Sequence, residues 1–256
     1  VFTLSIGWYV VVWVFISGFL LIVPDLGLSE SAASYYSNII MIVSSFVSAI
    51  LCFRTATVFE RDDPMKLVWL LMGAGVLSWS IGNILYTGHM VITNEEPPYP
   101  GYPDVAFLLM PPLVVAALFT FGKAISVPPP TWGIFLSTIT LITALGVSVQ
   151  IGYKNLMETN ADIERLVIIL YMSFDPILVA ATVLTASLLT GGQLAYTWWF
   201  CLVGIILYYT SNLLLAIKTA QGIYVGGTWT DLGWPLAFAL IGAAAMMIYN
   251  MLSNES

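Results

Sequence analysis

Long apolar runs recur along the chain, broken by short polar connections, and eight of them can be marked off. They cover residues 3–23, 34–54, 66–91, 103–125, 131–152, 164–190, 195–220 and 229–252. A bilayer core takes about 20 predominantly apolar residues per helix, so each run is predicted to be a membrane-spanning helix. The connections "PDLGLSES", "RDDP", "NEEPPYPGYP", "SVPPP", "NLMETNAD", "TGG" and "YVGGTWTD" hold the residues that break helices and form turns. The fold class expected is an all-α integral membrane protein. The chain begins at Val1, as expected of a processed or trimmed sequence. Its first run is too long for a signal-peptide core and lacks a small-residue cleavage site, so it reads as a true span.

Composition supports this and removes other classes. Residues are 59% hydrophobic and 8% charged, against about 25% charged in a soluble domain. Thirteen tyrosines and nine tryptophans suit two membrane–water interfaces, where amphipathic rings collect. The net charge of −7 comes without any basic patch, so nucleic acid is not an expected partner. No polar stretch is long enough to fold alone as a soluble catalytic domain.

Basic residues set the expected orientation. With the N-terminus inside, inner loops hold Arg54, Arg61, Lys66 and Lys123, and outer loops hold Lys154, Arg165 and Lys218. The inner majority, concentrated between the second and third spans, places both termini in the cytoplasm. The protein is then a multi-pass protein of the cell membrane. Cys52 and Cys201 fall near inner helix ends, on the reducing side, and read as buried thiols rather than a disulfide. A single histidine, His89, cannot make a metal site alone and reads as an interfacial hydrogen-bonding residue.

The chain also resembles itself. Shifting "WLLMGAGVLSWSIGNILY" by 129 positions pairs Trp69 with Trp198, Gly75 with Gly204, Trp79 with Tyr208 and Asn83 with Asn212. Downstream, "YPDVAFLLMPPLVVAAL" is echoed by "WTDLGWPLAFALIGAAA", pairing Asp104 with Asp231 after a two-residue slip. Two four-helix repeats are expected, residues 1–125 and 126–256. An even number of spans per repeat gives both halves the same orientation, related by an axis along the membrane normal.

The pattern "W…G…W..GN..Y…P.YP..PDV.FLL..P", the acidic-proline span "YMSFDPILVA" and the closing "D..WPL.F.L.G.AA" resemble a polytopic membrane sensory module. That module is found at the N-terminus of archaeal and bacterial histidine kinases and diguanylate cyclases. The resemblance covers the chain from about Trp69 onward and implies a prokaryotic protein of signal transduction. Where Asn83 stands here, the pattern often carries an acidic residue.

Polar residues inside the expected spans are the candidate site. Asp175 lies about 16 Å from the outer end of its helix, near the midplane, where an ionised Asp costs roughly 2.5–3.5 kcal/mol. Pro176 follows it and disfavours helical geometry at Asp175. No Lys or Arg shares that depth. Either a neutral carboxyl bonds across the bundle, or Asp175 serves a ligand, ion or proton. Gly75–Trp79–Asn83 and Gly204–Tyr208–Asn212 each place a notch, a ring and an amide on one helix face. The amides fit interhelical hydrogen bonding or ligand contact. Asp104 and Asp231 stand at outer helix starts, where a carboxylate caps free N–H groups and meets the positive end of the dipole. They also stand where they could roof a site. The candidate ligand-binding set is therefore Asp175, Asn83, Asn212, Trp79, Tyr208, Asp104 and Asp231, with no catalytic and no metal residue.

The function expected is a sensor or ligand-binding module with an outward-facing intramembrane polar cavity. The alternatives are a structural or cofactor-holding subunit of a membrane complex, whose aromatics would serve a quinone or carotenoid, and a small transporter. Transport is disfavoured because the inner half offers no polar path. An enzyme is not expected, since no nucleophile set, metal cluster or phosphate loop appears. Lys218 lies too near the outer rim for a retinal Schiff base. No particular cofactor is indicated. Expected partners are the lipid bilayer and either further copies of the chain or a larger membrane complex.

Overall fold

The computed structural model describes residues 4–27, 29–189 and 191–253. Val1, the start of the first expected span at residue 3, Leu28 in the first connection, and Thr190 at the end of the sixth span lie outside the described residues. Among the described residues there are eight α-helices: α1 Leu4–Gly18, α2 Glu30–Ala56, α3 Pro64–Thr93, α4 Tyr102–Ile125, α5 Thr131–Glu158, α6 Asp162–Ser187, α7 Gln193–Ala220 and α8 Gly233–Ser253. Single-turn 3-10 segments follow α1 (Phe19–Leu21 and Val23–Leu26) and precede α8 (Trp229–Leu232). With those flanking turns, all eight are long and apolar enough to cross a membrane, and together they fit a multi-pass membrane protein.

Local chemistry starts and stops these helices. Ser29 caps α2 by accepting from the Ala32 N–H, and Asp63 caps α3 by accepting from the Met65 N–H with Pro64 at the first position. Asn94 ends α3 and Ser126 ends α4 in the left-handed region, which frees the chain to turn. The α5 helix runs to Glu158, six residues past the expected end. Its added turns are polar, with Lys154 and Glu158 3.9 Å apart at one-turn spacing. Helical geometry also continues through Asp175 and Pro176, against expectation. Proline removes one N–H and leaves the Met172 carbonyl without its helical donor, which tightly packed neighbours tolerate inside a membrane bundle.

Six helices close a ring in the order α2, α3, α4, α6, α7, α8 and back to α2. Across its centre α3 faces α7, bringing the Trp69 and Trp198 rings to 5.7 Å and Phe121 onto Trp198 at 3.8 Å. Both tryptophans are fully buried. Outside the ring, α1 leans on α8, where Ile6 packs with Ala243 and Met247, and α5 leans on α6. Apolar residues on the outward faces, such as Phe15, Ile39, Phe119 and Ile142, are those a lipid environment covers.

Glycines set the closest approaches inside the ring. A Cβ on Gly75 would sit 3.2 Å from the Met110 carbonyl and against Leu113 and Val114. On Gly204 it would sit 2.6 Å from the Ala237 carbonyl and against Leu240 and Ile241. Any larger residue would push α4 off α3, or α8 off α7.

A hydrogen-bonded chain around Asp175

Asp175 is buried on the face that α6 turns into the ring. Its Oδ2 accepts from the Asn212 Nδ2 of α7 at 2.8 Å. The Asn212 Oδ1 in turn accepts from the Trp234 Nε1 of α8 at 2.8 Å. One amide thus links an acid on α6 to an indole on α8, using a donor and an acceptor at once. The Tyr208 hydroxyl, one turn before Asn212, faces Asn212, Trp79 and Asp175. Trp79 roofs the cluster, with ring centroids of Phe238 at 4.5 Å, Phe107 at 5.8 Å, and Tyr208 and Trp234 at 6.4 Å. Among the described residues the one salt bridge is Lys154–Glu158, so no base neutralises Asp175.

Asn83 stands apart from this chain. It is buried, and its Nδ2 donates to the Trp79 carbonyl of its own helix at 3.3 Å. Four of the candidate residues therefore come together (Asp175, Asn212, Tyr208 and Trp79), while Asn83 takes no side-chain hydrogen bond from them. Trp234, which completes the chain, was not among the residues singled out from the sequence. It stands in the quoted "D..WPL" stretch, three residues after Asp231, and an indole N–H entering a greasy helix needs a buried acceptor.

Of the two aspartates at helix starts, Asp104 caps its helix, while Asp231 binds the connection before α8 instead of capping it. Asp104 sits at the third position of α4, and its Oδ2 accepts from the Gly101 N–H at 2.7 Å. Its Oδ1 accepts from the Tyr171 hydroxyl of α6 at 2.8 Å. Asp231, almost fully buried, accepts from the Gly227 N–H and the Ser37 hydroxyl of α2 at 2.7 Å each, and from the Tyr224 hydroxyl at 3.0 Å. Gly227 has a φ of +80°, and a side chain there would collide with the Ala33 backbone, so glycine is required to bring its N–H to Asp231. Each aspartate thus ties a helix start to a neighbouring helix of the ring. Tyr171 could have been found from sequence, being one turn before Asp175 on the same face.

Phenols around these caps carry the local electrostatics. Burial, and then the charges of Asp104 and Glu164, push the Tyr99 hydroxyl up to about 12. Burial and the adjacent Asp231 push Tyr224 up as well. Lys218 lies in the last turn of α7, its Nζ 2.8 Å from the Thr230 hydroxyl and 4.2 Å from the Trp229 ring centre. His89 is beside Tyr102, ring centres 6.0 Å apart, in a shallow groove at the end of α3. Cys52 and Cys201 are fully buried free thiols. Among the described residues no group of three or more His, Cys, Asp or Glu side chains could hold a metal ion.

The half of the ring near Cys52 and Cys201 is more polar than expected. It buries the hydroxyls of Ser48, Thr55, Thr182, Thr185 and Ser187. These residues are small and scattered among apolar ones, so hydropathy averaging hides them. In comparisons with known proteins, no family model matches the chain, and no curated protein or solved structure matches it.

Proposed function

We propose that the chain is a membrane ligand-binding or sensory module whose site is Asp175, with Asn212, Tyr208 and Trp79 around it, reached from the outer face. The observation that carries this is the Asp175–Asn212–Trp234 chain: a mid-helix carboxyl, without a base, given one hydrogen bond by a side chain that is itself positioned by a second. A structural aspartate in a bundle gains most from saturated partners. This one keeps Oδ1 for a proton or for a small ligand that donates a hydrogen bond. In this reading Asn83 supports Trp79, and Asp104 and Asp231 hold the outer helix starts over the site. Bound charge is read out through the Asn212–Trp234 link to α8.

Two four-helix repeats, 1–125 and 126–256, form the framework of this reading, with both termini in the cytoplasm. The glycine contacts support it, because Gly75 meets Met110, Leu113 and Val114 while Gly204 meets Ala237, Leu240 and Ile241. Those sets correspond under the same alignment that pairs Asp104 with Asp231. The resemblance to sensory modules points the same way.

Carbodiimide labelling tests the site. In proteoliposomes, a water-soluble carbodiimide with a small amine added outside should amidate Asp175 in wild type, and Asp175→Asn should remove that label alone. Labelling only by a lipid-soluble carbodiimide, or none, would mean a sealed acid and would end the proposal.

A further inference from the structure

Along the outward face of α3, Ile84, Leu85 and Gly88 open a groove of about 230 Å³ that runs on to His89, Thr93 and the α4 residue Tyr102. Ile84 and Leu85 are exposed, and a Cβ on Gly88 would meet nothing within 4 Å. One end of the groove is therefore apolar and open to the side. The other end is polar, with the His89 and Tyr102 ring centres 6.0 Å apart.

The length of α3 sets these two ends at different depths. Its 30 residues rise about 45 Å, against roughly 30 Å for the hydrocarbon core and 40–45 Å with both headgroup layers. The last turns, from His89 on, stand at headgroup depth, and the Ile84–Leu85 end lies beside acyl chains.

The polar end is also electronegative. No basic residue stands in the last turn of α3, so the negative end of its dipole meets no cation there. Glu95 is folded back against the groove, its N–H and its carbonyl each 3.2 Å from the Thr93 hydroxyl. Its side chain is exposed, and the one salt bridge among the described residues is Lys154–Glu158. Residues 67–122 contain no Lys or Arg at all. Asp104, by contrast, is bonded to Gly101 and Tyr171, and Glu96 turns to Tyr86. Lipid tails would cover the Ile84 end of any such helix. They do not account for a negative, aromatic end at headgroup depth that no base of the chain answers.

We infer that this groove binds one bilayer phospholipid with an ammonium headgroup. One chain lies along Ile84, Leu85 and Gly88, and the ammonium meets Glu95, the end of α3 and the face of the Tyr102 ring, which attracts a cation. The His89 ring and the Tyr102 hydroxyl, each able to donate, serve the phosphate. A headgroup carrying negative charge alone would meet Glu95 as a like charge. The groove lies outside the ring of helices, separate from the Asp175 site.

Native mass spectrometry of the full chain in detergent tests this with three lipids of identical chains. They are phosphatidylethanolamine, its N-acetyl derivative, which keeps the phosphate and loses the ammonium charge, and phosphatidylglycerol. At equal concentrations the one-lipid adduct with phosphatidylethanolamine should exceed either of the others at least fivefold. Glu95→Gln should bring the three to within about twofold of one another. Gly88→Leu, which fills the groove, should reduce the phosphatidylethanolamine adduct at least fivefold, while Asp175→Asn should leave it unchanged. Glu95 is exposed on a connection, so its variant still decides the matter if Gly88→Leu fails to assemble by size exclusion. Equal retention of the three lipids by wild type, a preference for phosphatidylglycerol, or a preference that survives either substitution would overturn the inference.

Discussion

The α3–α4 pair and the α7–α8 pair carry the same glycine–aromatic–asparagine column and surround it differently. In each, a glycine lets two helices touch, an aromatic follows one turn on, and an asparagine one turn after that. Asn212 is bonded on both sides, by Asp175 and Trp234. Asn83 falls back on the Trp79 carbonyl. The cause lies in the neighbours. Phe107, whose ring packs against Gly82, stands where the sequence alignment puts Trp234, and it has no N–H to offer. Met41 stands one turn after Ser37, which reaches Asp231, just as Asp175 stands one turn after Tyr171, which reaches Asp104. Two substitutions separate a buried amide with a job from one without.

Transplanting the acid tests that explanation most severely. Met41→Asp should destabilise the protein by about 2.5–3.5 kcal/mol, the cost of an intramembrane Asp lacking a built partner. Adding Phe107→Trp gives Asn83 a donor for its oxygen and turns its amide toward the new acid, and should recover about 1 kcal/mol, one net hydrogen bond. Thermal unfolding in detergent measures both. A double mutant no better than Met41→Asp alone would show that the difference lies in backbone geometry instead.

Removing each asparagine sharpens the contrast. Asn212→Leu leaves Asp175 and the Trp234 indole unpaired together and should cost about 2–3 kcal/mol. Asn83→Leu gives up only a contact with its own helix and should cost under about 1 kcal/mol, near the average for a membrane interhelical hydrogen bond. Equal costs would erase the distinction between the two pairs.

The Asp104 cap offers a gentler version. Asp104→Ala should cost about 0.5–2 kcal/mol through the lost cap. Tyr171→Phe, which removes one donor and leaves the cap, should cost no more than about 1 kcal/mol. If Tyr171→Phe costs as much as Asp104→Ala, the tie to α6, rather than capping, is what the aspartate is for.

How much of this was legible in the sequence follows from the physics of each feature. Helix existence was, because about 20 apolar residues between turn formers admit few alternatives in lipid. Helix ends were less so: α5 runs on to Glu158 since polar residues propagate a helix once it leaves the membrane, and hydropathy cannot see that. Asp175 and Asn212 were visible as costly residues, but not as partners, because they lie on different helices whose rotation is set by packing. The ring order, with α1 and α5 outside, was also hidden, as every span has a similarly apolar surface. Ser48 and Thr55 escaped notice for the opposite reason, being too ordinary to stand out singly.

The smallest expected effect separates the surroundings of Asp104 and Asp231 by pH. Tyr99, beside Asp104 and Glu164, is pushed up to about 12 by burial and by those charges, against about 10 for a free phenol. The neutral form is therefore favoured in the folded protein. Above pH about 10 the unfolded chain releases this proton first and binds fewer than the folded one, so stability falls as pH rises toward about 12, and the contribution is fully present below about 10. Tyr99 is half exposed, so solvent screens the effect and it stays small. Tyr224, in direct hydrogen bond with the more deeply buried Asp231, is held further from ionisation. Ultraviolet difference absorbance should show a phenolate appearing near pH 12 in wild type and missing in Tyr99→Phe, with Tyr224→Phe leaving that step in place. Stability followed across the same range should decline less in Tyr99→Phe than in wild type. A Tyr99 that titrates near 10, with no difference between the variants, would mean that Asp104 spends its charge on its cap and on Tyr171 and leaves none to act across the loop.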